Sequence, residues 1–282
     1  MLKNSCNKNL SYARMKRKTI FNILKMIIVL YCIIGIALYY LQDKFLFHPE
    51  KLAAGYAYHF DQPFQELNIP VNEADTISLV KFFPADSTRK GVVIYFHGNR
   101  TNINRYAKFT RAFTAQGYEV WMPDYPGFGK SRGERTEKKM LSQALQVERM
   151  AEARFGKDSI ILYGKSLGTG VAAYVASQVD CKKLILETPY SSIPGLFNYY
   201  APIYPTTRMS NYKFPTEEYL QQVKYPVAIF HGTSDKVIPY KCAAKLQRVL
   251  KPGDEFITIE KGAHNNLADF PLYLQKLDSL LR

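Results

Sequence analysis

Apolar and polar positions along the chain repeat with two different periods. Residues 64–71 and 77–83 alternate between apolar and polar side chains, as strands with one buried face do. Residues 91–96 are continuously apolar, which is typical of a central parallel strand. The period of an amphipathic helix is found in four stretches, 105–116, 137–155, 239–250 and 266–281. The last stretch places on one stripe Leu267, Phe270, Leu274, Leu277 and Leu281.

This alternation of strands and helices predicts an α/β fold class. Parallel strands joined by helices of this length place helices on both faces of a mostly parallel sheet, and the first two runs predict an antiparallel opening. After the sixth predicted strand, segment 188–224 is rich in tyrosine, phenylalanine and proline. We interpret this segment as a short cap whose aromatic side chains shape a pocket. The alternative is that these side chains bury themselves against the sheet.

The amino-terminal part of the chain has a different composition. An almost wholly apolar run from Ile20 to Leu41 is long enough to cross a bilayer as a helix, and only basic charges precede it. The sequence therefore divides into a basic cytoplasmic tail (1–18), a transmembrane signal-anchor helix (19–41), a linker (42–63) and a folded domain (64–282).

The basic residues before this helix predict its orientation. The positive-inside rule keeps the amino terminus in the cytoplasm and sends the folded domain to the non-cytoplasmic side. The alternative is a signal peptide cleaved near Gly35 or Ala37, which would release a secreted domain. We favour a retained helix because the bulky residues 38–41 extend the apolar stretch and supply aromatic rings suited to the membrane interface.

The formal net charge of +14 raises the question of nucleic-acid binding. Without the seven cations at or before Lys25, the rest of the chain carries +7 and contains no dense basic run or nucleic-acid-binding motif. We therefore expect a basic face near anionic lipid and no nucleic-acid partner. Cys6, Cys32, Cys181 and Cys242 lack the spacing of a metal site. We predict no metal, no cofactor and no disulfide between the last two.

One short motif carries the candidate chemistry. Residues 164–168 read Gly-Lys-Ser-Leu-Gly and lie between a buried apolar run and a stretch of small residues with helical character. A serine on such a tight strand-to-helix turn projects its hydroxyl from the sheet edge, and the glycines let neighbouring backbone pass closely. The bare pattern often marks an ordinary loop, but this context favours a nucleophile elbow with Ser166 as the nucleophile.

A serine nucleophile needs a base to accept its proton. Among the five histidines, His264 follows the strand-like run 255–259 and precedes a predicted helix, so it lies in a loop at a strand's carboxyl end. We assign the base to His264. His97 and His231 each end an apolar run just before a glycine, and a structural hydrogen bond is the favoured interpretation for both.

The base needs an acid to orient it. Asp235 follows the apolar run 225–230, which places it at the sheet edge expected for Ser166 and His264. Nucleophile, acid and base would then occur in one of the known chain orders of such a triad. Glu187 ends an earlier strand and is the competing candidate, although a structural role is favoured for it.

A tetrahedral intermediate needs two preorganised donors near its developing charge. The backbone amide of Leu167, directly after the nucleophile at a helix start, is the first candidate. The amide of Asn99, in the loop after the run 91–96, is the second.

With these motifs the chain resembles the α/β-hydrolase superfamily, and within it the membrane-anchored group related to serine aminopeptidase-type hydrolases. The resemblance covers roughly residues 64–282. Five segments in family order carry it, namely 97–99 with Asn102, 124–131, 164–168, 232–235 with Pro239, and 262–265.

The resemblance implies a Ser166, Asp235 and His264 triad with Asn99 and Leu167 as oxyanion-hole donors. The sequence departs from the group at residues 100–101 and at Thr169, beside the pocket, which affects the expected substrate more than the chemistry.

The expected activity is that of a serine hydrolase cleaving a carboxylic ester or thioester of a small-molecule or lipid-like acyl substrate through an acyl-enzyme on Ser166. Two alternatives stay open. One is a peptidase or aminopeptidase acting on amide bonds with the same triad, and the other is a catalytically silent binding protein with this fold. The sequence leaves the oligomeric state open.

Overall fold

The computed structural model describes residues 2–86 and 89–282, with side chains from Arg17 onward. Much of the predicted basic tail, 1–18, and Cys6 therefore lie outside the residues whose side chains are described. The chain forms two compact units, which divide between Phe45 and Leu46.

The first unit consists of helix α1 (Leu2–Leu46) up to Phe45. Its portion Arg17–Leu46 is long and apolar enough to cross a membrane by length and composition, and the predicted segment 19–41 falls inside it. The large apolar side chains of this portion are mostly exposed, so the unit itself offers them no protein core. Such a surface is stable only in an apolar environment or against a partner.

The second unit is built on strands. They are β1 (His48–Pro49), β2 (Phe64–Pro70), β3 (Thr76–Phe82), β4 (Gly91–Phe96), β5 (Arg100–Thr101), β6 (Tyr118–Pro123), β7 (Ile160–Lys165), β8 (Lys183–Glu187), β9 (Val227–Gly232) and β10 (Glu255–Ile259). Eight of them form one sheet in the order β10-β9-β8-β7-β4-β6-β3-β2. Pairing is antiparallel for β2 with β3 and for β3 with β6, and parallel elsewhere in that sheet.

Helices cover both faces of this sheet. They are α2 (Ile103–Tyr106), α3 (Arg111–Thr114), α4 (Glu137–Phe155), α5 (Leu167–Gln178), α6 (Ile193–Tyr200), α7 (Thr206–Met209), α8 (Thr216–Leu220), α9 (Tyr240–Ala243) and α10 (Pro271–Leu281). Val92 and Ile94 of β4 join one apolar cluster with α4 and α5, whereas Val93 joins a second cluster with α10. The predicted mostly parallel sheet with an antiparallel opening and helices on both faces is confirmed.

Three predicted helices differ from the observed ones. Stretch 239–250 is divided into the short α9 and a 3-10 helix at Ala244–Val249. Stretch 105–116 is divided among α2, a 3-10 turn at Ala107–Phe109 and α3. At the carboxyl end, a 3-10 turn precedes Pro271, which begins α10 and shifts its phase. The predicted stripe is therefore wrong at Leu274, which is 50% exposed, and Tyr273 is buried instead.

Residues 42–63 were predicted to be a linker, but residues from Leu46 onward belong to the folded unit. Leu46, Phe47 and Tyr58 are buried, and β1 pairs in parallel with β5. The compact unit accordingly begins at Leu46 rather than at residue 64, because burying these apolar side chains against the sheet removes their surface from water.

Helices α6, α7 and α8 lie between β8 and β9, where the cap was predicted. Most of its large aromatic side chains are buried or packed against the core, including Tyr190 and Phe214. Tyr199 and Tyr200 at the end of α6 are exposed. The alternative of burial thus holds for most of the aromatic residues, and the two exposed tyrosines are the exceptions.

Candidate active site

Ser166 occupies the turn between β7 and α5. Its backbone adopts φ 53° and ψ −117°, a conformation that is strained for a residue with a side chain. The turn is held by the Ser166 amide, which donates to the Glu187 carbonyl at 2.9 Å, and by the Thr169 amide, which donates to the Ser166 carbonyl at 3.0 Å. Only 8% of Ser166 is exposed, so the hydroxyl is presented from a nearly closed surface.

The two glycines flanking Ser166 are required by close backbone contacts. A Cβ on Gly164 would lie 2.5 Å from the carbonyl oxygen of Gly168. A Cβ on Gly168 would lie 2.0 Å from the carbonyl oxygen of Phe96, at the end of β4. Any larger residue would therefore push α5 away from β4 and β7, which explains the Gly-Lys-Ser-Leu-Gly pattern in physical terms.

The side chains of Ser166, His264 and Asp235 form one continuous chain of contacts. His264 Nε2 lies 2.9 Å from Ser166 Oγ, and His264 Nδ1 lies 2.7 Å from Asp235 Oδ2. Beside a carboxylate, Nδ1 is the protonated nitrogen, which leaves Nε2 to accept the hydroxyl proton of Ser166. Three groups separated by up to 98 residues thus meet at the carboxyl edge of the sheet.

The second oxygen of Asp235 is held by the backbone. Oδ1 accepts hydrogen bonds from the amides of Val237 at 2.8 Å and Ile238 at 2.9 Å. Burial acts to raise the pKa of Asp235, but the hydrogen bond and charge of His264 and the Ile238 amide outweigh it, so the pKa lies below its ordinary value. The carboxylate is therefore charged and fixed in orientation at neutral pH.

His231 contacts the loop that carries Asp235. Its Nε2 donates to the carbonyl oxygen of Ile238 at 2.8 Å, and burial lowers the pKa of the imidazole, which is therefore neutral. This is the structural hydrogen bond expected from its position at a strand end.

Glu187, the competing acid, makes other contacts. Its carboxylate accepts hydrogen bonds from Lys165 and Tyr163, and from the Tyr273 hydroxyl at 3.1 Å. All of these side chains are buried. A buried lysine needs a carboxylate partner, and Glu187 is the partner of Lys165. Lys165 at the end of an apolar strand is a sequence feature that already called for a buried carboxylate.

The candidate oxyanion-hole residues flank Ser166. Leu167 is the first residue of α5, where a backbone amide has no acceptor within the helix. Asn99 follows Gly98, and a Cβ on Gly98 would lie 3.6 Å from the Cβ of Ser166, so this turn passes next to Ser166. The Asn99 side chain donates to the Leu46 carbonyl at 2.7 Å, and the Asn99 carbonyl accepts from the His48 amide at 2.9 Å.

A buried pair behind this turn was missed by the sequence analysis. His97 Nε2 lies 3.1 Å from Asp124 Oδ1, and neither side chain is exposed. The same Asp124 oxygen accepts from the Ile103 amide at 3.1 Å, and the Tyr125 hydroxyl donates to the His97 carbonyl at 2.7 Å. These contacts fix both ends of the turn that carries Asn99. The pairing of a strand-end histidine with a strand-end aspartate on the adjacent strand was the available indication.

Among the side chains of residues 17–86 and 89–282, no group of three or more histidine, cysteine, aspartate or glutamate residues is arranged to hold a metal ion. Cys32, Cys181 and Cys242 are free thiols.

Comparison with known proteins agrees with this architecture. Residues 87–216 match the family described as serine aminopeptidase, S33. The alpha/beta hydrolase domain-containing protein 17C of Xenopus tropicalis is 28% identical over 194 residues, which span 67% of this chain and 61% of that protein. The lysophosphatidylserine lipase ABHD12 of Mus musculus is 29% identical over 195 residues, which span 60% of this chain and 48% of that protein. The chain therefore matches less than two thirds of the length of these relatives.

Solved structures share the fold. The esterase Pf2001 of Pyrococcus furiosus superposes with a TM-score of 0.64 at 15% identity, covering 84% of this chain and 96% of the esterase. Est1E of Butyrivibrio proteoclasticus, solved with ferulic acid, gives a TM-score of 0.62 at 17% identity, covering 76% and 97% of the two chains. Its sheet order, its elbow turn and these similarities show that the chain has the α/β-hydrolase fold.

Proposed function

We propose that the protein is a serine hydrolase that cleaves carboxylic ester or thioester bonds through an acyl-enzyme on Ser166. The observation that carries this proposal is the contact chain from Ser166 Oγ through His264 to Asp235, with distances of 2.9 and 2.7 Å. A hydroxyl becomes a nucleophile at neutral pH when a base and an orienting acid are aligned in this way.

The reaction would proceed in two steps. Ser166 Oγ attacks the substrate carbonyl carbon while its proton passes to His264 Nε2. The imidazolium then protonates the leaving alcohol or thiol as the ester bond breaks, which leaves the acyl group on Ser166. His264 next takes a proton from water, the resulting hydroxide equivalent attacks the acyl carbon, and the carboxylic acid departs as Ser166 regains its proton.

Asp235 would hold the imidazole tautomer and stabilise its positive charge. The amides of Leu167 and Asn99 would donate to the negatively charged oxygen of the tetrahedral intermediate. The strained backbone of Ser166 and the His97–Asp124 pair support this role by keeping both amides in place before substrate arrives.

A lipid-like acyl group is the substrate class we favour. The relative named lysophosphatidylserine lipase supports a lipid substrate, and the helix Arg17–Leu46 supports a position at a membrane. We propose that residues 19–41 anchor the protein in the bilayer with the amino terminus in the cytoplasm and the hydrolase domain, 64–282, on the other side.

The test uses full-length protein in detergent micelles. Wild-type protein should hydrolyse a short-chain p-nitrophenyl ester and bind a fluorophosphonate probe covalently. Ser166→Ala should abolish both, whereas Ser191→Ala, which removes a buried hydroxyl in the cap region, serves as the matched control. Probe labelling or turnover that persists in Ser166→Ala would refute the proposal.

A peptidase is the second candidate, because the matching family is described as serine aminopeptidase. The same nucleophile would then open an amide bond. Comparing turnover of matched ester, thioester and aminoacyl amide substrates separates the two, and faster cleavage of the amide would favour the peptidase.

A further inference from the structure

Four apolar side chains are exposed in two segments, residues 199–203 and residues 233–239; the second segment carries Asp235, and we call it the acid loop. We call Tyr199, Tyr200, Ile203 and Val237 the cap ridge. They are 40%, 55%, 70% and 53% exposed, respectively. The rings of Tyr199 and Tyr200 are in contact, and the Tyr200 hydroxyl reaches the Val237 carbonyl. Exposed apolar side chains grouped on one part of a surface are typical of a binding site.

The cap ridge is joined to the candidate active site by hydrogen bonds. The Tyr200 hydroxyl donates to the carbonyl oxygens of Lys236 at 2.8 Å and Val237 at 3.1 Å. The Val237 amide in turn donates to Asp235. The apolar surface therefore begins two residues from the acid that contacts His264.

A groove with basic side chains adjoins the ridge. It has a volume of about 330 Å³ between α6 and α9, and Tyr199 lines it together with Lys241, Lys245 and Arg248, which we call the basic groove. Lys241 Nζ lies 4.8 Å from the centre of the Tyr199 ring. Across the part of the chain that the structure describes, the three cations form no ion pair with a carboxylate, and none of the residues lining the groove is acidic.

We propose that the cap ridge and the basic groove together form a docking surface for an anionic phospholipid bilayer. The complementarity is chemical. Lysine and arginine attract phosphate and carboxylate headgroups, tyrosine is suited to the headgroup level, and isoleucine and valine enter the acyl region. A spanning helix holds the domain at a membrane, so a weak surface of this kind is sufficient to orient it.

The docked orientation turns the cap and the acid loop toward the lipid. Under the proposed function, on which this consequence rests, the substrate would enter from the bilayer and its acyl chain would reach Ser166 without crossing water. The docking itself does not depend on hydrolysis.

The chain offers a clean spectroscopic test because its only tryptophan, Trp121, is buried. Ile203→Trp places a reporter on the cap ridge. Leu274→Trp places one at a 50% exposed apolar position on α10, which packs on the opposite face of the sheet. Both full-length variants are reconstituted into vesicles of phosphatidylcholine and phosphatidylserine, in which the phosphatidylcholine is brominated and quenches tryptophan.

Docking predicts that quenching at residue 203 exceeds that at residue 274 by about twofold or more. The difference should disappear with Lys241→Glu/Lys245→Glu in the same background, and in vesicles without phosphatidylserine. Equal quenching at the two positions would overturn the proposal. A difference that persists both with Lys241→Glu/Lys245→Glu and in vesicles without phosphatidylserine would also overturn it. Concentration-dependent shielding of residue 203 from bromolipid and aqueous iodide alike would assign the ridge to a second copy and also overturn it.

Adding Ser166→Ala to the Ile203→Trp variant separates this inference from the proposed function. Quenching should be unchanged, while hydrolysis of a soluble ester is lost. Hydrolysis that survives Ser166→Ala would refute the enzyme mechanism and leave the docking result intact.

Discussion

The backbone amide of Ser166 donates a hydrogen bond to the carbonyl oxygen of Glu187 at 2.9 Å. Glu187 therefore supports the turn of Ser166 through its backbone, while its carboxylate pairs with the buried Lys165. Asp235 faces His264 instead. The two carboxylates that compete for the role of acid in the sequence thus have separate tasks, and substitutions should distinguish them.

Asp235→Asn should lower kcat toward a soluble ester by about 10⁴-fold, because an amide cannot stabilise the imidazolium and favours the wrong imidazole tautomer. Glu187→Gln should mainly destabilise the fold, by roughly 3 kcal/mol, because it leaves Lys165 buried without a counter-charge. The measurements are steady-state kinetics and the thermal unfolding midpoint of the full-length protein in detergent.

Lys165→Met/Glu187→Gln is the matched control, since it removes the buried charge that the single substitution exposes. It should recover much of the lost stability. If Glu187→Gln lowered kcat as much as Asp235→Asn at unchanged stability, Glu187 would be the acid and our assignment would be wrong.

Gly168→Ala should lower both activity and stability. Its new methyl group would lie 2.0 Å from the Phe96 carbonyl oxygen, so α5 must move away from β4 and carry Ser166 with it. Overpacking of this kind costs about 1–3 kcal/mol. A displaced nucleophile can lose on the order of 100-fold in turnover.

Gly55→Ala is the control for this change, because a Cβ there meets no atom within 4 Å. It should leave kcat and the unfolding midpoint unchanged. Wild-type turnover in Gly168→Ala would show that α5 can shift without disturbing Ser166.

Glu148 in α4 should make stability depend on pH. It is buried, neither carboxylate oxygen has a hydrogen-bond partner, and burial together with the charge of Glu152 raises its pKa from 4.5 to about 7. Between pH 4.5 and about pH 7, Glu148 is protonated in the folded state and ionised in the unfolded state. The free energy of unfolding therefore falls as pH rises, by an upper limit of roughly 3 kcal/mol.

Glu148→Gln should remove this penalty. The variant should melt above the wild type at pH 8 and together with it at pH 4.5, as measured by thermal unfolding in detergent. Glu152→Gln, at an exposed position on the same helix, should change the midpoint much less. A Glu148→Gln variant less stable than the wild type at pH 8 would mean that the carboxylate finds a partner in solution.

Residues 19–41 should behave as a retained membrane anchor. In sealed vesicles with the cytoplasmic face outward, protease should remove an amino-terminal epitope and spare the hydrolase domain. Replacing Lys16, Arg17 and Lys18 with glutamate should increase the fraction with the opposite orientation. Alkaline carbonate opens the vesicles, so a shortened domain that it releases into the supernatant would favour the cleaved signal peptide instead.

Local patterns were sufficient to predict the framework of the site. The apolar runs mark the strands, and Ser166, Asp235 and His264 each follow such a run, so parallel topology alone brings them to one edge of the sheet. Asn99 and Leu167 follow from the same logic. Their roles in catalysis remain predictions, and the geometry supports them.

What the sequence could not provide are contacts set by packing in three dimensions. Leu274 was placed on the buried stripe because a continuous helix was assumed, and Pro271 changes the phase. Stretch 105–116 contains no strong helix breaker. Its apolar side chains pack against the second apolar cluster, and the backbone forms short helical turns there instead of one regular helix. Likewise, the sequence shows that His97 and Asp124 both follow strand ends, but only the three-dimensional structure shows that the two side chains are in contact.

The segment between residue 46 and residue 60 determines where a water-soluble fragment of this protein can begin. Cutting at residue 64 would delete the buried side chains of Leu46, Phe47 and Tyr58 and would leave the amide of Asn99's side chain without its acceptor. A fragment intended for crystallisation or assay should therefore keep Leu46 and Phe47, because the folded unit is longer than the portion that begins at residue 64.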